Sequence, residues 1–205
     1  IVTCTTSRSA FLDVEDVAPG AFIAAVGADN PEKREIAPAL MARATQIAQA
    51  SADAALVANV ACNSVSTELA LGRIEAARER LVTGLAALGD GAHVAAGTLV
   101  ACRRAEGELA NAAGDPVRAI ERIEAALRAQ GDSRSPQHAV LLGFLAYLHG
   151  QSGDLARAEA LHRQLQAQDA SLGRSDTRGD LRNRRALAEV LDARGQPREA
   201  QAMLD

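Results

Sequence analysis

Residues 114–123 read GDPVRAIERI, and the arrangement of small, capping and apolar residues in this stretch recurs along the chain. Glycine stands at positions 72, 114, 153 and 195, so that successive glycines are 42, 39 and 42 residues apart. An alanine follows each glycine after five residues, at positions 77, 119, 158 and 200. A regular interval of about 40 residues is typical of a helical repeat protein.

Each copy of this pattern predicts two antiparallel helices joined at the glycine. Glycine adopts the left-handed backbone conformation that ends the first helix. Asp115 or Asp154 can then cap the second helix, while Pro116 or Pro197 fits its first turn. The alanine keeps the two helices close together, and the residue four positions later is predicted to fill the groove between neighbouring hairpins. The residues at that later position are Leu81, Ile123, His162 and Leu204.

The hairpins are predicted at about residues 52–88, 92–130, 135–170 and 176–204. Loops that contain glycine separate them, and Ser135 before Pro136 is a strong signal for a helix start. Apolar residues make up 48% of the chain but aromatic residues only 2%, which favours closely packed helices over a β-sandwich. The predicted fold class is therefore mainly α, with an α-solenoid over residues 50–205.

This repeat pattern resembles that of tetratricopeptide repeats (TPR), in which glycine also marks the turn within each hairpin. The interval here is longer than the 34 residues of that family. The longer form is similar to helical regions of bacterial signalling proteins, including regions attached to kinases. The resemblance implies a scaffold for protein partners and no particular chemistry.

The first 48 residues follow another pattern. Short buried strands are predicted at Ile1–Thr5 and Ala21–Val26, a helical turn at Asp13–Val17 and a helix at Pro38–Ile47. Parallel strands of this kind need neighbours on both sides, so two strands form only an incomplete α/β fragment of the Rossmann type.

This segment resembles part of the nucleotide-binding domain of the ornithine cyclodeaminase/mu-crystallin family. Thr5, Thr6 and Ser7 match a turn beside the cofactor in that family. Val26, Gly27 and Asp29 match its V-G-x-D element, whose aspartate the resemblance implies to be the acid or base that acts on the substrate's amino group. The next element, P-x-K-x-E, is matched by three residues: Pro31, Lys33 and Glu35.

The resemblance implies an alternative function, that of an NAD-dependent ornithine cyclodeaminase or amino-acid dehydrogenase. However, no G-x-G-x-x-G turn for the pyrophosphate occurs in the sequence, and the substrate-binding domain of the family has no match. We therefore expect Asp29 to be vestigial and the protein to be non-catalytic. The same is expected of the residues that match cofactor-binding positions of the family: Thr5, Thr6, Ser7, Val26 and Gly27. A cofactor is expected only under the alternative, where it would be NAD.

Charge and cysteine content limit the partners. The net charge is −4, which does not favour nucleic acid or an anionic membrane as a partner. The three cysteines, Cys4, Cys62 and Cys102, are odd in number and far apart, which predicts reduced, buried thiols in a cytoplasmic protein. The four histidines lack the close pairing of a metal site, and no metal is expected.

A partner-binding surface is predicted on the concave face of the solenoid, which the first helix of each hairpin would line. The residues expected there stand 13, 10, 6 and 3 positions before the turn glycine. Polar residues recur there, although Cys62 also falls at such a position. A peptide groove of mixed charge and an ordinary solvated surface both explain this recurrence. Arg182, Arg184 and Arg185 suggest a phosphate site or, with Glu189 and Asp192 nearby, a paired helix surface. The partner is predicted to be a protein, a peptide or a second copy of the chain. The predicted groove residues are Asn59, Ser66, Arg104, Glu108, Asn111, Tyr147, Arg182, Arg185, Glu189 and Asp192.

Overall fold

Eight α-helices are arranged as four antiparallel hairpins in the part of the chain that the computed structural model describes. The described residues are 2–3, 11–17, 24–25, 43, 46, 53–89, 95–131, 135–175 and 177–204. The hairpins consist of α1 (Ala54–Ala70) with α2 (Ile74–Leu88), α3 (Ala96–Ala112) with α4 (Pro116–Gln130), α5 (Pro136–Gln151) with α6 (Leu155–Ser171), and α7 (Arg178–Ala193) with α8 (Pro197–Ala202). The predicted solenoid of four hairpins is confirmed.

The turn within each hairpin has the predicted geometry. Gly114 has a φ of 78° and Gly153 a φ of 81°, in the left-handed region where a side chain would be strained. The carboxylate of Asp115 accepts a hydrogen bond from the backbone N–H of Arg118, at 3.0 Å. Asp154 caps α6 in the same way, so that each turn ends one helix and starts the next within a few residues.

The alanines of the repeat are buried, as close packing of the helices requires. Ala77, Ala119 and Ala158 are fully buried, and Ile123 is also completely enclosed. Leu204 departs from the prediction, because it is 58% exposed and lies beyond the end of α8. The corresponding residues Leu81, Ile123 and His162 lie inside helices and are buried.

Two glycines inside helices allow the two helices of the first hairpin, and those of the second, to pack closely together. A Cβ atom at Gly107 of α3 would lie 2.8 Å from Cδ1 of Ile123, and one at Gly84 of α2 would lie 2.5 Å from Sγ of Cys62. Such distances are far shorter than a normal van der Waals contact. Helix α1 therefore packs tightly on α2, and α3 on α4, while α1 also packs directly against α3.

A disulfide bond between Cys62 and Cys102 joins α1 to α3, which corrects the prediction of reduced thiols. Their sequence separation of 40 residues is nearly one repeat, so the two cysteines occupy facing positions in successive hairpins. Both are fully buried, as predicted. The inference of a cytoplasmic location from unpaired cysteines therefore loses its basis. None of the helices in the described ranges combines the length and the hydrophobicity that a membrane span needs.

The third and fourth hairpins are joined by an ion-pair cluster around Glu159 of α6. Its carboxylate contacts the guanidinium groups of Arg163, at 2.9 Å, and of Arg194, which follows α7. Arg163 also reaches Glu199 of α8. Because Glu159 is 11% exposed, these pairs compensate a charge that would be costly to bury alone.

The described part of the first 48 residues contains the predicted parallel strands in short form. Strand β1 (Val2–Thr3) pairs in parallel with β2 (Ala24–Ala25), and a 3-10 helix spans Val14–Asp16. Arg43 and Gln46 are helical, inside the helix predicted at 38–47. Several predicted sites lie outside the described residues: Thr5, Thr6, Ser7, Val26, Gly27, Asp29 and the P-x-K-x-E element.

Candidate partner-binding cavity

The surface shared by α1 and α3 is closed by hydrogen bonds between side chains. The hydroxyl of Ser66 donates to Oε2 of Glu108 at 2.5 Å, and Nη2 of Arg104 donates to Oδ1 of Asn63 at 3.1 Å. Nδ2 of Asn59 donates to the hydroxyl of Thr98 at 3.3 Å. Four of the predicted groove residues are thus engaged in holding two helices together beside the disulfide bond. Their polar character has a structural explanation.

The corresponding surface between α5 and α7 is open. Helices α5 and α7 both pack on α6, which leaves between them a cavity of about 850 Å³, hereafter the α5–α7 cavity. This volume is within the range of about 300–1,000 Å³ that is usual for ligand sites.

Apolar side chains of α5 form one wall of the cavity. Val140 and Tyr147 line it and remain 58% and 48% exposed. The ring of Phe144 stacks on that of Tyr147, with centroids 6.1 Å apart and an angle of 13° between the ring planes. Covering a mostly aromatic and aliphatic surface of this kind with a partner is favourable by about 25 cal/mol per Å² of apolar area buried.

A buried pair of polar residues lies at the floor. Nδ1 of His162 on α6 is 2.7 Å from Oδ1 of Asn183 on α7. Nδ2 of Asn183 donates to the backbone carbonyl of His162, at 2.9 Å. Burial lowers the pKa of His162 below its ordinary value of 6.5, although the bond to Asn183 and the charge of Glu189 act in the opposite direction. The imidazole is therefore neutral at pH 7 and ties α6 to α7.

Charged residues occupy both ends of the cavity. Asp169 at the end of α6 is buried, and its Oδ1 accepts a hydrogen bond from Nε of Arg174 at 2.9 Å. The charges of these two residues therefore compensate each other. Arg182 and Glu189 line the α7 wall. Glu189 also pairs with Arg185 at 3.2 Å, but both of those side chains are well exposed and the pair is weak.

The structure separates the predicted groove residues into two groups. Tyr147, Arg182 and Glu189 are brought together around the cavity, whereas Asn59, Ser66, Arg104 and Glu108 lie between α1 and α3. Three others lie elsewhere: Asn111 is half-buried near the end of α3, and Arg185 and Asp192 are exposed on α7 without lining the cavity.

The arginine-rich start of α7 contains ion pairs. Nη2 of Arg184 donates to Oδ2 of the buried Asp180 at 2.7 Å, and Arg185 pairs with Glu189. These contacts favour the paired helix surface over a phosphate site for Arg184 and Arg185.

Sequence reasoning missed the apolar wall and the paired floor. Val140, Gly143 and Gly150 stand at the same offsets before Gly153 as the predicted polar residues do before the other glycines, and all three line the cavity. The offsets were the available signal, but at these positions they carry apolar residues and glycine instead of polar side chains. Asn183 gave no sequence signal, because its role depends on contact with His162 in another helix.

Comparison with known families finds that the ornithine cyclodeaminase/mu-crystallin family matches residues 1–79. The match covers less than half of the 205 residues and extends past residue 48 through α1 into α2. A comparison with curated proteins finds no significant match.

Solved structures of helical repeat proteins are similar to this chain. BtubC (BKLC) from P. vanneervenii matches with a TM-score of 0.67 and 20% identity, over 81% of this chain and 68% of that one. A kinesin light chain-like protein of Podosopora anserina, with nearly identical TPR-like repeats, matches with a TM-score of 0.58 and 21% identity, over 80% of this chain and 88% of that one. At this level of identity, the similarity establishes a fold of TPR-like helical repeats.

Proposed function

We propose that this protein is a non-catalytic scaffold that binds a peptide segment of a protein partner in the α5–α7 cavity. The observation that carries the proposal is the contrast between two equivalent surfaces. Between α1 and α3 the surface is closed by a disulfide bond and by side-chain hydrogen bonds, whereas between α5 and α7 it is open and mostly apolar.

The size and composition of the cavity support a peptide as the occupant. A volume of about 850 Å³ holds several side chains, and the exposed Val140 and Tyr147 provide apolar contacts. Aromatic side chains in such positions commonly supply much of the binding free energy. The TPR-like fold agrees with this role.

The proposal can be tested with phage-displayed peptides that tile the proteome of the source organism. Peptides selected on the full chain are then measured by fluorescence anisotropy against two variants. Tyr147→Ala removes an aromatic from the cavity wall, and Val117→Ala removes a similarly exposed apolar side chain from α4, outside the cavity. We expect at least a tenfold loss of affinity for Tyr147→Ala and less than twofold for Val117→Ala. Equal effects, or no selected peptide, would overturn the proposal.

The alternative, an NAD-dependent protein similar to ornithine cyclodeaminase, is favoured by the match to residues 1–79. Titration of NADH with the full chain, followed by the nucleotide's fluorescence, separates the two functions. Micromolar affinity would favour the alternative, whereas the scaffold function predicts no saturable change in fluorescence.

A further inference from the structure

The α7 wall of the cavity carries opposite charges at its two ends. Arg182 and Glu189 both line the cavity and are seven residues apart, which corresponds to about 10 Å along a helix at 1.5 Å per residue. Ala186 lies between them on the same wall. The wall therefore has a positive end, an apolar centre and a negative end.

Both charges are available to a partner. Arg182 makes no ion pair with any residue in the described ranges. Glu189 pairs only with Arg185 there, and the two side chains are 68% and 79% exposed. Such exposed pairs are weak, so a partner's charge can replace Arg185 at little cost.

The helix termini give the cavity the same polarity. Because α5 and α7 are each antiparallel to α6, they run in the same direction. Pro136 and Thr177, at their starts, line the end that contains Arg182. Gly150 and Ala193, at their last turns, line the end that contains Glu189. The dipoles of α5 and α7 add positive potential at the first end and negative potential at the second, and the antiparallel α6 offsets about one of these two helices.

The floor between the two ends offers a hydrogen-bond acceptor. The amide of Asn183 donates through Nδ2 to the carbonyl of His162, so its Oδ1 is the atom facing Nδ1. Nδ1 must therefore carry the proton of the neutral ring, and Nε2 is an acceptor. His162 lines the cavity, and Nε2 has no hydrogen-bond partner among the described residues.

We infer that the occupant is a peptide segment with an apolar centre, an acidic group for Arg182 and a basic group for Glu189, about 10 Å apart, and a hydrogen-bond donor for Nε2 of His162. This inference rests on the proposed function and specifies the chemistry of its partner. Apolar side chains of the segment would pack on Val140 and Tyr147. Like charges at either end would be repelled, which provides selectivity.

The test uses a phage library of random 12-residue peptides selected on the full chain. We expect the enriched peptides to share an apolar centre between one acidic and one basic residue. Fluorescence anisotropy of a selected peptide should show at least a tenfold loss of affinity for Arg182→Glu and for Glu189→Arg. Arg118→Glu on α4 is the matched control, because Arg118 is exposed and outside the cavity, and it should change affinity less than twofold.

Reversal of charge in the peptide completes the test. A peptide whose acidic residue is replaced by lysine should bind Arg182→Glu better than it binds the original chain. Selected peptides without this charge pair, or affinities that do not respond to either reversal, would overturn the inference. If those peptides nevertheless depend on Tyr147, the proposed function stands and only the inference about charge fails. If no peptide is enriched in either selection, the proposed function and the inference both fail.

Discussion

Nδ1 of His162 lies 2.7 Å from Oδ1 of Asn183, and this contact joins α6 to α7 at the floor of the cavity. His162 is 5% exposed, and burial lowers its pKa below 6.5. The unfolded chain therefore binds a proton at this histidine more readily than the folded chain does. The contribution of His162 to the free energy of unfolding is constant above pH 6.5. The free energy of unfolding decreases as the pH falls below 6.5 towards the lower pKa of the folded chain.

This relationship predicts a pH-dependent free energy of unfolding. Urea denaturation at pH 7.5 and at pH 5.5 should show a lower stability at the acidic pH, and His162→Gln should reduce the difference between the two values. His138→Gln leaves His162 in place and should retain the difference. A His162→Gln chain with the same pH dependence as the original chain would show that His162 is not the group responsible.

The disulfide bond predicts that only one cysteine is free. Alkylation with iodoacetamide in urea without reductant should modify Cys4 alone, and all three cysteines should react after reduction, as measured by mass spectrometry. Reduction should also lower the free energy of unfolding by about 2–4 kcal/mol, because the bond closes a loop of about 40 residues. Modification of three cysteines without reductant would contradict the bond.

The turn glycines predict a contrast between two glycine substitutions. Gly153→Ala should destabilise the chain by about 1 kcal/mol, because the glycine has a φ of 81° and alanine is strained there. Gly97→Ala lies in the first turn of α3 with open space around its Cβ position, so it should be neutral or stabilising by up to about 1 kcal/mol. Thermal denaturation followed by circular dichroism measures both. Equal effects would argue against the predicted turn.

The hydrogen bond between Ser66 and Glu108 predicts a structural role for residues that the sequence suggested as binding residues. Ser66→Ala should lower stability by about 1 kcal/mol, since Glu108 loses its partner across the α1–α3 contact. Ser64→Ala, which removes only a bond to the carbonyl within α1, should cost less than about 0.5 kcal/mol. Neither variant should change peptide affinity. A loss of peptide affinity in Ser66→Ala with unchanged stability would show that Ser66 is a binding residue.

The features predicted correctly from the sequence were those set by local physics. Gly114, Asp115, Pro116 and Ala119 specify a helix end, a cap, a helix start and a close contact within six residues, so the hairpin could be derived from them alone. Leu204 was predicted wrongly because α8 ends at Ala202, so the helix geometry behind the prediction does not extend to that residue. The role of Asn183 could not be predicted from the sequence, because its burial depends on contact with α6.

The disulfide bond and the cavity depend on how hairpins are placed relative to one another. Cys62 and Cys102 were judged by their number and separation, although a separation close to the repeat interval places them opposite each other when α1 contacts α3. Polar residues at equivalent offsets have different roles in the two halves of the array, because α1 and α3 are in contact and α5 and α7 are separated by the cavity. Helix offsets identify the surface, but they do not give the distance between neighbouring helices.

The most direct test of the scaffold function is hydrogen–deuterium exchange of the full chain with a selected proteome peptide bound. We expect slower exchange in the segments that cover α5 and α7, at residues 136–151 and 178–193, and no change at residues 116–130 of α4. Protection confined to α2 and α4, or no protection at peptide concentrations that saturate binding, would contradict the assignment of the cavity as the binding site.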